Sequence, residues 1–379
     1  MIGLDWPVGH HHQVFAGIQR YARECGRWES LINPYADLLF KGAGHDHGLD
    51  GVVARATPEL AELARAAKVP VVNVWMNTAA KGLPTVVHDV AEAGRLIARH
   101  LLARGFRTFA CLGFENIVGT QAQVDGFREV IGTRGFTCSE CRVPHQYDHT
   151  AANWQQFQEQ LAGWMAGWSP SMGVMVANDL LCRYLAEACR QRNIQIPRSV
   201  ALVGSGNEVL VDTAAAPTLS SIDYGFERIG YRAAELLDTL MDGAPVPTEP
   251  LLLAPVSLVT RQSSDAFVVD DVMVATALRF ITEHLHDDID VEQVADHVST
   301  TRRTLSRRFH DSLGKTIHDA ITQLRLERVK QHLVESKAVL KSIAKDCGFR
   351  DAIHLCKVFQ RIEGTSPSDY RAERVVRQR

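Results

Sequence analysis

The residues of this sequence with the clearest chemical use are arginines spaced for one helix face near the end of the chain. Arg303 and Arg307 are four positions apart, which places them one helical turn apart on the same face. A guanidinium group can donate two parallel hydrogen bonds to a guanine edge. Residues 297–379 contain 18 Lys/Arg against 9 Asp/Glu, whereas the whole chain contains 41 against 44. A basic segment on an acidic body indicates a nucleic-acid-binding module joined to another domain.

Charge alone is equally compatible with two solvated helix pairs in a helical bundle, so the apolar spacing matters. Apolar residues at i, i+3, i+4 and i+7 predict a helix, a short polar stretch predicts a turn, and an apolar pair at i, i+4 predicts a second helix. Gly314 and Gly364 each follow a phenylalanine by five residues, where a left-handed helix stop favours glycine. This pattern occurs twice, with anchors at Val294, Ala295, Leu305, Phe309 and at Ile343, Ala344, Leu355, Phe359.

The duplicated segment resembles the DNA-binding domain of the AraC family of transcription regulators. The matching residues are Val294-Ala295, Leu305 to Phe309, Leu324 to Leu326, Ile343-Ala344, Cys347 to Phe349, Phe359 and Gly364 to Arg371. The resemblance implies two helix-turn-helix units joined by one long helix over about 317–334, with a double-stranded DNA operator as partner. It places two recognition helices in major-groove segments about 34 Å apart. The candidate DNA-binding residues are Arg302, Arg303, Ser306 and Arg307 in the first unit and Arg350, Asp351, His354 and Lys357 in the second.

Residues 1–262 alternate apolar strands with helices. Such alternation predicts parallel sheets covered on both faces, and the number of units favours two lobes. We expect the chain to cross between lobes near Arg104–Arg107, near Tyr224–Phe226, and again before the linker. The predicted domains are an effector domain over 1–262, a linker over 263–270 and a helical domain over 271–379.

Strings in this first region resemble the effector-binding domain of the lac repressor family. They include Val87 to Asp89, His100 to Phe106, Gly126-Phe127, Val176 to Asp179, Ile196 to Gly204 and Leu219 to Asp223. The resemblance implies an α/β two-lobe periplasmic-binding-protein-like domain, here followed by the all-α double helix-turn-helix domain. It also implies a small-molecule effector, with a pentose such as xylose as first choice, and a homodimer. By motif, the ligand-binding residues are Asp89, Gln123, Trp154, Asn178, Asn207 and Tyr224.

Several of these residues have simpler interpretations. Asp89 and Asn178 each precede a predicted helix, so each side chain is suited to a helix cap, and Trp154 is equally suited to a core. Two departures from the family weaken the sugar assignment. Gly206 stands where the family places an aspartate, and Gln123 stands where it places an arginine. A regulator of a non-sugar molecule therefore remains an alternative.

Other features argue against different functions. The histidines at 10–12, 45 and 47 lack the spacing of a metal site, and Cys138 and Cys141 form a single C-x-x-C without a second pair. The sequence predicts no cofactor and no catalytic residue, although an enzyme of the DNA-repair type carrying an AraC-type module is an alternative. No run of roughly 18 to 20 apolar residues predicts a membrane span. Without a signal-peptide pattern, we expect a cytoplasmic protein, and an activator would contact RNA polymerase.

Overall fold

Strands and helices alternate through the first lobe, as the apolar runs predict. The computed structural model describes residues 1–4, 9–41, 48–144, 151–269, 271–336 and 338–374. Strands β1, β2 and β3 pair in parallel, and a bridge from Asn73 to Thr85 joins β3 to the start of β4. The elements are β1 (Ile2–Gly3), α1 (Gly9–Cys25), α2 (Ala36–Lys41), β2 (Val52–Ala54), α3 (Pro58–Ala67), β3 (Val71–Asn73) and β4 (Val86–His88).

The second lobe is built on a larger sheet. Its elements are α4 (Val90–Ala103), β5 (Thr108–Phe114), α5 (Val118–Gly132), β6 (Cys138–Val143), α6 (Ala151–Met165), β7 (Met172–Val176), α7 (Asp179–Gln191), β8 (Val200–Ser205), α8 (Val209–Thr213) and β9 (Ser220–Asp223). After β9 the chain returns to the first lobe with α9 (Phe226–Met241) and β10 (Leu251–Leu253). It then rejoins the second lobe with β11 (Ser257–Val259). The sheet order is β11-β9-β8-β7-β5-β6, with β11 antiparallel to β9. Every residue of β7 is buried, as a parallel strand covered on both faces requires.

Helices α4 and α5 pack unusually close together on one face of this sheet. A Cβ added to Gly94 would lie 2.0 Å from the carbonyl oxygen of Gln123, and one added to Gly126 would lie 2.1 Å from that of Ala91. Only glycine allows the backbones to approach so closely. This packing fixes the position of Gln123 on α5. Helices α6 and α7 cover the opposite face through a separate apolar cluster.

Within the described residues, the chain crosses between the lobes at three places. It crosses at Asp89, between β4 and α4, and again between β9 and α9, as predicted for Tyr224–Phe226. The last crossing joins β10, which pairs with β4, to β11, which pairs with β9. The predicted crossing near Arg104–Arg107 is wrong, because α4 already packs on α5 and on β7 of the second lobe. Sequence alone places that crossing too late because α4 follows a first-lobe strand directly.

The first two residues of the predicted linker are anchored to the second lobe. Ser263 and Ser264 are both buried, and the hydroxyl of Ser263 donates to the carbonyl oxygen of Leu202 in β8 at 2.7 Å. The connection leaves the second lobe after these serines. The amide of Val268 then donates to the carbonyl oxygen of Arg104 at 2.8 Å, so the connecting segment stays against the end of α4.

The C-terminal domain is helical, as predicted. Its elements are α10 (Val272–Glu283), α11 (Val291–His297), α12 (Arg302–Leu313), α13 (Ile317–Glu335), α14 (Leu340–Asp346), α15 (Ala352–Glu363) and α16 (Pro367–Arg374). Helix α13 matches the predicted connecting helix. Helix α10 was not predicted. Among the described residues, every helix is too short or too polar to span a bilayer.

Both helix-turn-helix units have the predicted internal design. Leu305, Phe309, Leu355 and Phe359 are completely buried. Gly314 and Gly364 end α12 and α15 with φ of 66° and 75°, which confirms the predicted left-handed stops.

Candidate effector cleft and nucleic-acid interface

The interlobe cleft is the seam where the carboxyl ends of the strands in both lobes meet the crossing segments. Asp89 lies on the first crossing, and its Oδ1 accepts a hydrogen bond from the amide of Glu92 at 2.9 Å. The side chain therefore caps α4. Asn178 caps α7 in the same way, accepting from the amide of Leu181 at 2.8 Å. The capping role is present for both residues, and their contact with an effector stays a prediction.

Gln123 and Tyr224 come together at the end of β8. Gln123 is buried, and its Nε2 donates to the hydroxyl oxygen of Ser205 at 2.7 Å. Ser205 also hydrogen-bonds the buried Tyr224, whose pKa is raised, first of all by burial. The ring of Tyr224 lies 4.2 Å from the ring of His88. An amide, a hydroxyl, a phenol and an imidazole thus converge where the lobes meet.

Asn207 lies at the centre of a second polar group. Its backbone has φ of 51°, and its amide donates to the Ser221 hydroxyl oxygen at 3.0 Å. Its Nδ2 donates to Asp223 Oδ2 at 3.3 Å, while its Oδ1 accepts from the Arg261 guanidinium at 2.6 Å. Asn207 is therefore held by charged neighbours on two sides. Sequence reasoning missed Arg261 as a site residue, because it lies at the very end of the predicted effector domain.

Asp179 holds the polar group around Asn207 in place through two hydrogen bonds. One carboxylate oxygen accepts from the Ser221 hydroxyl at 2.6 Å and the other from the Glu208 amide at 2.9 Å. Burial raises the pKa of Asp179 to about 6, opposed by those two hydrogen bonds. The carboxylate thus fixes the loop after β8, which carries Asn207.

Trp154 is the predicted residue that the described contacts do not connect to the others. It lies on α6 with 41% of its surface exposed, and its ring packs 5.0 Å from that of Tyr184 and 5.3 Å from that of Phe157. The surrounding groove runs between α6 and α7. Its ligand contact stays a prediction, and its exposure shows that Trp154 is not a core residue, although its ring packs on two aromatic neighbours.

Two histidines lie at the cleft. The ring of His10 stacks on Phe226 at 4.6 Å, and His88 contacts both Tyr224 and Phe226. Burial lowers the pKa of His88 to about 4. Burial, aided by the neighbouring His11, lowers the pKa of His10 to about 3. Both imidazoles are therefore neutral at pH 7 and offer one donor and one acceptor each. The position of His88 directly before Asp89 was a usable signal, whereas His45 and His47 lie outside the described residues.

The lobes touch across the cleft at its rim. A Cβ added to Gly9 would lie 2.9 Å from Oε2 of Glu208, so this carboxylate rests against the first turn of α1. Negative charge is favourable at a helix N-terminus. On the other side, the Gly119 amide donates to Asn77 Oδ1 at 3.2 Å. The structure therefore has contacts that a separation of the lobes would break.

The predicted DNA-reading residues lie on the outer faces of α12 and α15, except Arg350 and Asp351, which directly precede α15. Arg302, Arg303, Ser306 and Arg307 are exposed, as are Arg350, His354 and Lys357. Asp351 caps α15 by accepting from the His354 amide at 2.7 Å, and it also pairs with Arg350 at 3.1 Å. Its carboxylate is therefore engaged by the protein. His354 and Lys357 face a groove of 540 Å³ between the two units.

Comparisons with known proteins agree with this architecture. A family model described as a periplasmic binding protein-like domain matches residues 98–264, and one described as a helix-turn-helix domain matches residues 294–373. The xylose operon regulatory protein of Escherichia coli K12 is 29% identical over 85% of this chain and 83% of its own length. That of Haemophilus influenzae is 26% identical over 96% of this chain and 95% of its own length. A solved structure of a xylose-binding transcription activator, xylR, is 25% identical, with a TM-score of 0.60 over 98% of this chain and 97% of that one.

The fold and the paired recognition helices define the class of protein. The chain is an AraC-type DNA-binding transcription regulator that carries a periplasmic-binding-protein-like effector domain. Over nearly its whole length it is similar to xylose operon regulators.

Proposed function

We propose that this chain is a sugar-responsive transcription activator whose effector is a pentose such as D-xylose. The observation that carries the proposal is the convergence of Gln123, Ser205, Tyr224 and a neutral His88 at the seam between the lobes. Neutral donors and acceptors suit hydroxyl groups, and aromatic faces suit the C–H side of a sugar ring. The names of the full-length relatives support the same effector class.

The proposed effector contacts are Asp89, Gln123, Trp154, Asn178, Asn207 and Tyr224. Asp89 can cap α4 with one carboxylate oxygen and accept a sugar hydroxyl with the other, whereas Asn178 can cap α7 with its amide oxygen while its NH2 group donates to a sugar hydroxyl. Asn207 is oriented by Arg261 and Asp223, which compensates for Gly206 at the usual aspartate position. Trp154 is the weakest member of the set, since its ring already packs on Tyr184.

Sugar binding is tested by thermal shift of the full chain against D-xylose, L-arabinose, D-ribose and D-glucose. A ligand at about 100 times its dissociation constant adds roughly 2.7 kcal/mol to the free energy of unfolding. We expect D-xylose to give the largest rise in melting temperature. Asp89→Asn is the matched variant, because asparagine keeps the helix cap while removing the carboxylate. Unchanged D-xylose affinity in Asp89→Asn would restrict Asp89 to its capping role, and a flat response to every pentose would refute the effector class.

We further propose a homodimer on double-stranded operator DNA. Two linked double modules would bind two half-sites with avidity, through the exposed faces of α12 and α15. Footprinting combined with mass measurement of the complex tests this proposal. One protomer bound to a footprint of a single double module would contradict it.

The same proposal covers the setting in which the protein acts. We infer a cytoplasmic, non-catalytic, cofactor-free regulator with an effector domain over 1–262, a linker over 263–270 and a DNA-binding domain over 271–379. As an activator it would act on RNA polymerase. Transcription in vitro with purified polymerase should rise when D-xylose is added, and a fall would reverse the sign of regulation.

A further inference from the structure

The buried His100, at the end of α4, connects Arg104 to Ser264 through hydrogen bonds in which each donor and acceptor is fixed. The guanidinium of Arg104 lies 2.9 Å from His100 Nδ1, and His100 Nε2 lies 2.7 Å from the hydroxyl oxygen of Ser264. Because arginine can only donate, Nδ1 must accept, and Nε2 must carry the proton and donate to Ser264. Burial, followed by the charge of Arg104, holds the pKa of His100 well below its usual value. A single neutral tautomer therefore fits this position.

The series of hydrogen bonds continues through two serines to Arg261. The Ser264 hydroxyl donates to Ser220 Oγ at 2.8 Å, and the Ser220 hydroxyl donates to the carbonyl oxygen of Arg261 at 3.0 Å. The Arg261 amide donates back to Ser220 Oγ at 2.8 Å. Both serines are completely buried. Each serine hydroxyl both donates and accepts, so displacing either serine would leave a buried polar group without its partner.

Each end of this network lies at a functional part of the molecule. At one end the Arg261 guanidinium donates to Asn207 Oδ1 at 2.6 Å and pairs with the buried Asp212 at 3.2 Å. At the other end Arg104, which is 3% exposed, pairs with Glu327 at 3.4 Å. Glu327 belongs to α13, the helix that joins the two helix-turn-helix units.

The Arg104–Glu327 pair has an energetic consequence. A buried guanidinium is costly unless it is paired, so its partner carboxylate is held strongly in place. Among the described residues, the carboxylate that pairs with Arg104 comes from the DNA-binding domain. Displacement of α13 therefore changes the environment of Arg104, and displacement of Arg104 changes the position preferred by α13.

We infer that Arg104, His100, Ser264, Ser220 and Arg261 form a positioning network that couples the Asn207 loop of the cleft to α13 of the DNA-binding domain. The network gives the regulator a physical link between effector occupancy and the relative position of its two reading helices. A second contact acts at the hinge, where the Tyr370 hydroxyl donates to the carbonyl oxygen of Val256 in the last crossing segment at 3.3 Å. The inference rests on the proposed function for the nature of the signal, but the contacts themselves do not depend on which sugar binds.

Hydrogen exchange of the full chain, read by mass spectrometry, tests the network without an assumed effector. Ser264→Ala removes the hydroxyl that joins His100 to Ser220. We expect amide exchange in α13 around Glu327 to increase, by about 2- to 30-fold for couplings of this kind. Ser139→Ala, at an exposed serine on β6, is the matched control and should leave α13 unchanged. Unchanged exchange in α13 of Ser264→Ala would overturn the inference.

Glu327→Gln tests the coupling in the opposite direction, from α13 to the cleft. Because Glu327 is partly exposed, this substitution does not disrupt the core. Because coupling is reciprocal, this variant should increase exchange in residues 205–208 of the cleft. Unchanged exchange in that loop would also overturn the inference.

A third comparison separates this inference from the proposed effector. With D-xylose as the probe, α13 of the wild-type protein should change its exchange, and Ser264→Ala should reduce that change. A full response in Ser264→Ala would mean that the signal takes another route, which contradicts the network. If D-xylose leaves the wild type unchanged while both variants alter exchange as described, the network stands and the sugar assignment fails.

Discussion

The two helix-turn-helix units share an internal design but present different surfaces. In both, a completely buried leucine and phenylalanine fix the second helix, and a glycine with positive φ ends it. The outer face of α12 carries four arginines, at 302, 303, 307 and 308. That of α15 carries His354 and Lys357, preceded by the Arg350–Asp351 pair. Apolar spacing therefore sets the fold of each unit, while the polar positions between the anchors are free to set its affinity for DNA.

The units also contact the effector domain differently. The first approaches the end of α4, where Lys315 Nζ lies 3.4 Å from the carbonyl oxygen of Ala103 and Arg107 lies 3.3 Å from that of Ser312. The second rests on the hinge through Tyr370. A movement between the lobes would thus reach the two reading helices through separate contacts.

Removal of the buried phenylalanines should have the largest effect, and an equal one in both units. Phe309→Ala and Phe359→Ala each leave a cavity in a closed core, which costs about 3 to 5 kcal/mol of the free energy of unfolding. Urea denaturation followed by circular dichroism measures both values. A loss below about 1 kcal/mol in one unit would show that the shared design does not extend to its core.

Gly348 and Ser299 occupy equivalent positions in the turns of the two units, but substitution by alanine should destabilise the protein by different amounts. Gly348 has φ of 74°, and a Cβ there would lie 2.1 Å from the carbonyl oxygen of Leu285. Gly348→Ala should therefore cost at least about 2 kcal/mol from strain and overpacking. Ser299 already has a Cβ at φ of 53°, so Ser299→Ala should stay within about 0.5 kcal/mol. Equal losses in the same denaturation measurement would remove this distinction between the turns.

The reading helices should differ in specificity. Arg303→Ala should relax base preference at one or two operator positions, each worth about 1 to 3 kcal/mol. Lys357→Ala should weaken operator and random DNA alike and reduce the slope of log affinity against log salt by about 1. Gel shifts on an operator library at several salt concentrations measure both effects. An equal loss on operator and random DNA for Arg303→Ala would mean that it contacts only phosphate.

The sequence predicted local structure well wherever a short segment decides the outcome. The bounds of α13 and the stops at Gly314 and Gly364 follow from apolar periodicity and backbone sterics, which neighbouring residues determine. Strand β10 was missed because its three residues are partly or fully exposed and lack alternation. Ser264 contacts His100 and Arg104 contacts Glu327, in each case more than a hundred residues away in the sequence. Local sequence patterns contain no such information.

The candidate cleft was predictable only in part for the same reason. Motifs identified Gln123 and Tyr224, which the fold brings to one point beside Ser205. They also identified Asp89 and Asn178, whose capping bonds follow equally from a strand–helix junction. Arg261 was not assigned because its partners Asn207 and Asp212 lie 54 and 49 residues away in the sequence. His88 was not assigned because its neighbours Tyr224 and Phe226 belong to a different crossing segment.

The central claim is that effector binding and DNA reading occupy separate sites that are coupled. The most direct measurement is operator affinity by gel shift, with and without D-xylose, for wild type, Asp89→Asn and Arg307→Ala. Wild-type affinity should change by about 5- to 150-fold with the sugar. Asp89→Asn should keep the ligand-free affinity and lose that change, whereas Arg307→Ala should lose operator binding while calorimetry still detects D-xylose. Loss of ligand-free operator binding in a folded Asp89→Asn would contradict the separation of the two sites.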